Sequence, residues 1–427
     1  MTNQSIKLDK RQVFDESDIN NQNLDVTAKS RQHIEVLSDD ADFLALRKEW
    51  NDINDHSLNG NIFVSWEWLY TWWETYQGQG IRKLYILVCR NSENELTGIA
   101  PFQIVNNPKK YFPCSRQLLL LGTGETDGSK VFGEYMDLII NNGDETAVVN
   151  AFSAYLEKHK NLWDGIKFSQ QLVGSNLTQL FQTKNITPVT NTPNSSKQIS
   201  KEIIENGFRT FIDLPETYKD YLMSLRKKMR NNITRTYSRL ESEQSFSIDN
   251  VTTDSELKAA MAGEATGIKI LAELNRTRRG NMDKNSVFTQ PNFELFHQRL
   301  VKRLLPLNKV SLRILRFGKE PVAALYSFVD RDTVHAYQSG FETENGHRYS
   351  LLTTMLTQEI SNSIENPNIS RFNFMYSDEE GTYKKRYSGT TERMYDISFS
   401  KNGLKSSVNS FIHGPVKSAV KKLFNIS

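Results

Sequence analysis

Hydrophobic and polar positions between residues 311 and 364 change period twice. Leu312, Ile314 and Arg316 alternate with Arg313, Leu315 and Phe317 as on a strand, Gly318-Lys319 is a turn signal, and a second apolar run follows over residues 322–329. This pattern predicts a hairpin. Asp330-Arg331-Asp332 turns the chain into a third strand over 333–339, which Gly340 ends. Beyond a polar loop at 342–349 the period becomes helical, with Leu352, Met355, Leu356, Ile360 and Ile364 on one face and Ser350 as the expected N-cap. A strand, a loop and a helix N-terminus in that order offer free backbone N–H groups and a positive helix end to an anion.

Earlier in the chain, Phe43, Leu44, Leu46 and Trp50 predict a short amphipathic helix. Ser65 caps a second one whose Trp66, Leu69, Tyr70, Trp73 and Tyr76 share a face, with Val64 and Leu69 placed as a hydrophobic staple. Helical spacing of aromatics points to core packing more than to a ligand platform. Residues 84–89 and 96–105 form a hairpin comparable with the later one, and both place small residues after the turn, Gly98-Ile99-Ala100 in one and Val322-Ala323-Ala324 in the other. The similarity reads as a degenerate internal repeat. Strands at 117–121, 136–140 and 165–168 and a helix over 147–159 complete the first copy. The loop GTGETDGSKVFGEY between the first two lacks the Lys-Ser/Thr of a phosphate loop, and its Glu125, Asp127 and Glu134 read as turn and surface groups that could face an acceptor only in a two-domain cleft.

Residues 187–201 have the Pro/Asn/Ser content of a connector. A basic amphipathic helix follows over 218–240, where Arg226, Lys227, Lys228, Arg230, Arg235 and Arg239 are either a solvated face or a seat for an anionic ligand. A helix at 293–305 leads into the central stretch, and strands at 371–375 and 394–399 flank Lys384-Lys385-Arg386. The predicted segments are a flexible tail at 1–31, αβ units at 32–190 and 191–400, and a basic amphipathic segment at 401–427. Lysines 417, 421 and 422 opposite Val416, Val420, Leu423 and Phe424 give residues 411–427 the character of a docked helix or of a peripheral contact with an anionic membrane.

Composition narrows the class. With 427 residues, 38% hydrophobic and 24% charged, the chain reads as globular with room for two or three domains. A net charge of +3, from 53 basic and 50 acidic residues, gives no basis for DNA binding by the whole chain. Two cysteines, Cys89 and Cys114, suggest neither a disulfide framework nor a zinc site, and no metal-spaced histidine cluster occurs. With no signal-peptide core or membrane span in the sequence, the expected location is cytoplasmic, with the inner membrane face as a peripheral alternative.

The two strands, the third ending in Ser339-Gly340-Phe341, the loop Asn345-Gly346-His347-Arg348-Tyr349-Ser350 and the helix resemble the acyl-CoA-binding core of the GNAT acyltransferases. More closely, SGFETENGHRYSLLTTML followed by FNFMYSDEEGTYKKRY is similar to the CelD/BcsL-like acetyltransferase family, related to the FemABX transferases. The resemblance covers most of residues 60–400 and implies a mixed α/β fold of two tandem GNAT-like domains in a FemABX-like arrangement. It further implies acetyl-CoA or another acyl-CoA as co-substrate and N- or O-acyl transfer to a sugar, polysaccharide precursor or other envelope-related acceptor. Where such proteins carry Ser-Pro-Gly this chain has Ser350-Leu351-Leu352, which leaves less room beside a pyrophosphate. The expected donor-site residues are Ser339, Gly340, Gly346, Arg348, Tyr349, Ser350 and Lys384. An activated thioester needs an oriented acceptor, a base and an oxyanion site but no covalent nucleophile. Glu342 or Asp378 is the expected base and Tyr383 the expected proton donor or substrate contact; His335 and Tyr337 share a strand face. Two other readings stay open: a Fem-like transferase using aminoacyl-tRNA, and a non-catalytic GNAT-fold scaffold.

Overall fold

A computed structural model describes residues 32–106, 116–181, 199–251, 258, 266–280, 286–380 and 383–400. The expected N-terminal tail, Cys114, most of the 187–201 connector and the basic C-terminal segment lie outside the described residues.

The first half opens with β1 (His33–Leu37), α1 (Asp40–Ala45), α2 (Arg47–His56) and α3 (Trp66–Tyr76). The hairpin β2 (Ile81–Arg90) and β3 (Leu96–Asn106) follows, then β4 (Arg116–Leu120), the short β5 (Ile139–Ile140), α4 (Glu145–Lys158) and β6 (Gly165–Gln171). After β7 (Ser200–Asp213), α5 (Tyr218–Ser224) and α6 (Lys227–Glu243), the second half repeats the order. Its elements are β8 (Phe246–Asn250), α7 (Thr266–Gly280), α8 (Pro291–Leu304), β9 (Val310–Phe317), β10 (Glu320–Asp330), β11 (Thr333–Phe341), α9 (Thr343–Arg348), α10 (Leu351–Glu365), β12 (Arg371–Ser377) and β13 (Thr390–Ser400).

All strands join one 13-stranded mixed sheet in the order β1-β2-β3-β4-β6-β13-β7-β12-β11-β10-β9-β8, with β5 on β3. Read inward from either edge the order is the same: an edge strand, a hairpin, a third strand, then a strand reached through a helix. The two helical crossovers give the two parallel pairs, β4 with β6 and β11 with β12. The internal repeat read from the hairpins is therefore a repeat of topology. The halves exchange ends: β13 follows β12 in the chain yet pairs with β6 on one side and β7 on the other.

Alternation places the second half's side chains on two faces. Leu325, Val334, Phe372 and Phe374 pack beneath α5, α6 and α10 with Tyr221, Ile233, Met355 and Ile360. Tyr326, Phe328, Tyr337 and Met375 face the other way and share one core with α3, α7, α8 and the first half's sheet. Trp66, Trp73 and Tyr76 of α3 are core, as their spacing predicts, Tyr70 is partly buried against it, and Trp68 and Trp72 are buried as well. Ser65 caps this helix, its hydroxyl accepting the Trp68 N–H.

Three local expectations are corrected. The basic helix is two helices, because Arg226 is extended (φ −60°, ψ 142°) and breaks the turn between them. The stretch expected as a loop contains α9, with the Glu342 side chain accepting from Asn345 Nδ2 at 2.8 Å. Ser350 does precede α10, but in a left-handed conformation (φ 45°, ψ 45°) and without a side-chain cap.

Candidate active site

The parallel ladder between β11 and β12 is only three pairs long, ending at His335 opposite Asn373. From there the strands part. On its other side β11 carries a bulge: Tyr326 pairs with Gln338 and Ser327 with Ala336, which leaves Tyr337 opposite no residue of β10. A second bulge follows in β12, where Asn373 pairs with Phe211 and Tyr376 with Arg209, and Met375 takes φ +64°. Such irregularities turn backbone groups out of the ladder and recur next to active sites.

Three side chains hold the parting point. Asn373 Oδ1 accepts the Met375 N–H at 3.0 Å, which orients the amide so that Nδ2 donates to the Tyr135 hydroxyl and, at 3.0 Å, to His335 Nδ1. With Nδ1 used as an acceptor, the His335 proton sits on Nε2. Burial, helped by the nearby Arg209 charge, lowers the His335 pKa to about 3, so the ring is a neutral donor. Lys384 Nζ donates to the carbonyls of Met375 at 2.8 Å and Tyr376 at 2.5 Å. Glu134, brought in by the first half, accepts the Tyr376 N–H through Oε1 at 2.7 Å, while its Oε2 has no hydrogen-bond partner among the described residues. Glu134 is 1% exposed and Lys384 8%. Burial disfavours both charges, raising the Glu134 pKa and lowering that of Lys384, and their mutual attraction opposes each shift.

Of the acids of the long loop, Glu134 is buried and not the expected surface group, Glu125 is partly buried, and Asp127 accepts the Ser129 N–H as a turn group. Glu125 accepts from Trp72 Nε1 at 2.7 Å, and burial pushes its pKa up to about 7. Asp127 joins Gln79 of the first half to Asn292 of the second at 2.8 and 2.9 Å. Their partners are separated from them by as many as 242 positions, so no local spacing signals the burial.

The residues named from sequence fall into separate places. Gly340 lies against α7, where a Cβ would stand 2.6 Å from the Asn275 nitrogen, and the Ser339 carbonyl accepts from Asn275 Nδ2 at 2.7 Å. A Cβ at Gly346 would meet the Phe341 ring at 2.8 Å. Arg348 is paired with Glu243 at 2.6 Å, and the Tyr349 hydroxyl donates to the same carboxylate at 3.0 Å from a buried ring. Asp378 is exposed beyond β12, and Tyr383 is half-exposed. Arg278 lies over the Phe341 ring at 4.9 Å with a buried Nε that has no partner among the described residues. Of the expected donor and catalytic residues Lys384 belongs to the cluster at the parting of β11 and β12, together with His335, which the strand period places on one face with Tyr337.

On the face of β7, β11 and β12 turned toward the first half lies a cavity of about 380 Å³, which His335, Asn373 and Tyr135 line together with Arg209, Phe211 and Arg371. Residues of both halves enclose it. The donor groups at the parting strands and the cavity therefore meet at the His335–Asn373 pair.

Residues 227–385 match a GNAT acetyltransferase domain family. Comparison with curated protein sequences gives no match. Among solved structures, FemX is similar over 82% of this chain and 95% of its own, with 9% identity and a TM-score of 0.54. A tandem GNAT protein from the clavulanic acid biosynthesis pathway covers 86% of this chain and 98% of its own at 8% identity and a TM-score of 0.40. L-PGS from Bacillus licheniformis covers 78% and 91% at 10% identity and a TM-score of 0.45. The likeness to FemX is one of fold. Glu134, Tyr135 and Arg209 lie outside the matched segment, so the cluster combines residues of the segment similar to a GNAT acetyltransferase domain with groups that the rest of the chain supplies.

Proposed function

We propose that this chain is an acyl-CoA-dependent acyltransferase that receives its donor between β11 and β12 and its acceptor in the cavity between the halves. The observation that carries the reading is the short β11–β12 ladder beside the Tyr337 bulge, within the segment that matches the GNAT acetyltransferase domain. Backbone N–H groups freed at such a bulge are donors for a thioester carbonyl and for the oxyanion that forms from it. The acceptor amine or hydroxyl attacks that carbonyl, the tetrahedral intermediate collapses, and CoA leaves as the thiolate. Similarity of the 339–356 and 372–387 stretches to CelD/BcsL-like acetyltransferases favours a sugar, polysaccharide precursor or other envelope-related acceptor.

The acceptor proton is assigned to Glu134. Burial raises its proton affinity, Oε2 lacks a partner among the described residues, and it stands beside the parting strands. Glu342 is engaged by Asn345, and Asp378 is exposed. Glu134→Gln keeps an oxygen for the Tyr376 N–H but removes the base. Single-turnover release of CoA from acetyl-CoA, followed with a panel of amino sugars and hexoses, should fall by about 10²-fold with acetyl-CoA affinity retained. Full activity in that variant and loss in Glu342→Gln would move the proton to Glu342. A Fem-like reading rests on the exposed Lys227, Lys228 and Arg235 of α6. In a thermal-shift panel a rise with tRNA and none with acetyl-CoA would replace the present reading by that one.

A further inference from the structure

The acceptor cavity is lined by charges of both signs, and they differ in how far they are already used. Asp137 accepts from Asn59 Nδ2 and from the N–H groups of Leu138, Asn176 and Leu177 at 2.6–3.0 Å. Asp330 accepts the Ile62 N–H at 2.9 Å, and Asp332 holds the hydroxyls of Thr333 and Ser370. The acids are occupied in fixing the halves together and the β10–β11 turn.

The guanidinium groups are occupied on one edge only. Arg371 uses Nε and Nη2 on Asp213 at 2.9 and 2.7 Å, and Arg209 uses Nε and Nη2 on Glu392 at 2.8 and 2.6 Å. Their Nη1 atoms have no protein acceptor among the described residues. Both groups lie over the Phe211 ring, at 4.4 and 5.2 Å from its centroid, and Arg209 also over Tyr135 at 5.2 Å. The stacking fixes two long side chains that would otherwise lose rotamer freedom on binding. His335 adds Nε2–H as a neutral donor, set by the Asn373 amide.

From this arrangement we infer that the cavity binds a small acceptor through an anionic group, a carboxylate or a phosphate, held by Arg209, Arg371 and His335. Two stacked guanidinium groups engaged on one edge and a neutral imidazole donor, next to acids that already hold protein donors, favour an oxyanion over a neutral hydroxyl or an ammonium group. The inference rests on the reading that the acceptor occupies this cavity. It does not depend on which residue takes the proton.

Titration calorimetry on the full chain, without acyl donor, tests it with glucose 6-phosphate, glucuronate and glucose as probes. The expected result is binding of one or both anions and none of glucose, weakened at least tenfold in Arg371→Met and partly restored in Arg371→Lys. Phosphate-only or carboxylate-only binding identifies the source of the charge. Equal binding of glucose, anion binding unchanged in Arg371→Met, or no binding of either anion overturns the inference. Should Arg371→Met fail to fold, Arg209→Met gives the same readout, since the Glu392 it releases is 44% exposed and solvated. Anion binding with no response to acetyl-CoA would remove the acyl-transfer reading and leave the anion site standing.

Discussion

At the scale of single residues the core holds polar groups that burial alone does not explain. His297 is fully buried among Phe293, Phe296, Tyr326 and Tyr337, with ring centroids 4.6–5.5 Å away, and neither ring nitrogen has a partner among the described residues. Burial lowers its pKa to about 3 from the ordinary 6.5. Below pH 6.5 the unfolded chain takes up a proton that the folded chain refuses, so this group's stability is present above 6.5 and is lost as pH falls toward 3. His335 acts in the same direction. Removing two buried, unpartnered nitrogens with His297→Leu should stabilise the protein at pH 7 by about 1–3 kcal/mol and flatten its acid-side decline. Urea unfolding at pH 7 and pH 5 measures both. A less stable variant with an unchanged slope would mean that the imidazole has a bound partner in solution.

At the scale of elements, what was legible in the sequence is what depends on period. The strands around 312–339 and the α10 face have near neighbours that fix the alternation, so their apolar positions identify them. The break before α6, the left-handed Ser350 and α9 were not legible, since each depends on one backbone conformation inside a continuous pattern. Among candidate residues, Lys384 stands in the sequence beside the strand whose carbonyls it holds, whereas the burial of Glu134 is not legible because the Tyr376 N–H it holds lies far along the chain. Gly340 shows how a glycine can be explained without a ligand. A Cβ there would come within 2.6 Å of the Asn275 nitrogen and 2.9 Å of the Leu271 carbonyl oxygen, both backbone atoms of α7 that cannot rotate away. Gly340→Ala should therefore push α7 from β11 and destabilise the chain by about 1–3 kcal/mol in the absence of any ligand. If the variant unfolds like the parent in urea but loses its response to acetyl-CoA, the glycine serves the donor and not the helix contact.

At the scale of the whole molecule the question is whether the two topological repeats are two units or one. Three observations favour one. β13 pairs with both β6 and β7, so the C-terminal strand closes the sheet through the middle of the chain. A single hydrophobic core runs from Phe43 and Trp68 to Phe296, Phe328 and Tyr337. Polar bonds cross as well: Ile62 N–H to Asp330, Arg331 to the Ser57 carbonyl, Arg303 to Glu74 and Asn292 to Asp127, at 2.7–2.9 Å. Units joined in this way cannot open separately without exposing the aromatic core, and they should unfold together. The chain carries its own probe for this. All six tryptophans lie between residues 50 and 163, so their fluorescence reports the first half, while far-ultraviolet circular dichroism reports both. The two signals should trace one coincident urea transition in the full chain. A variant ending at Gly389, without β13, should unfold at markedly lower urea, because β6 and β7 become open edges with unpaired ladder groups. Separate transitions in the full chain, with fluorescence unaffected by loss of β13, would establish two independent domains and leave the cavity between them free to open.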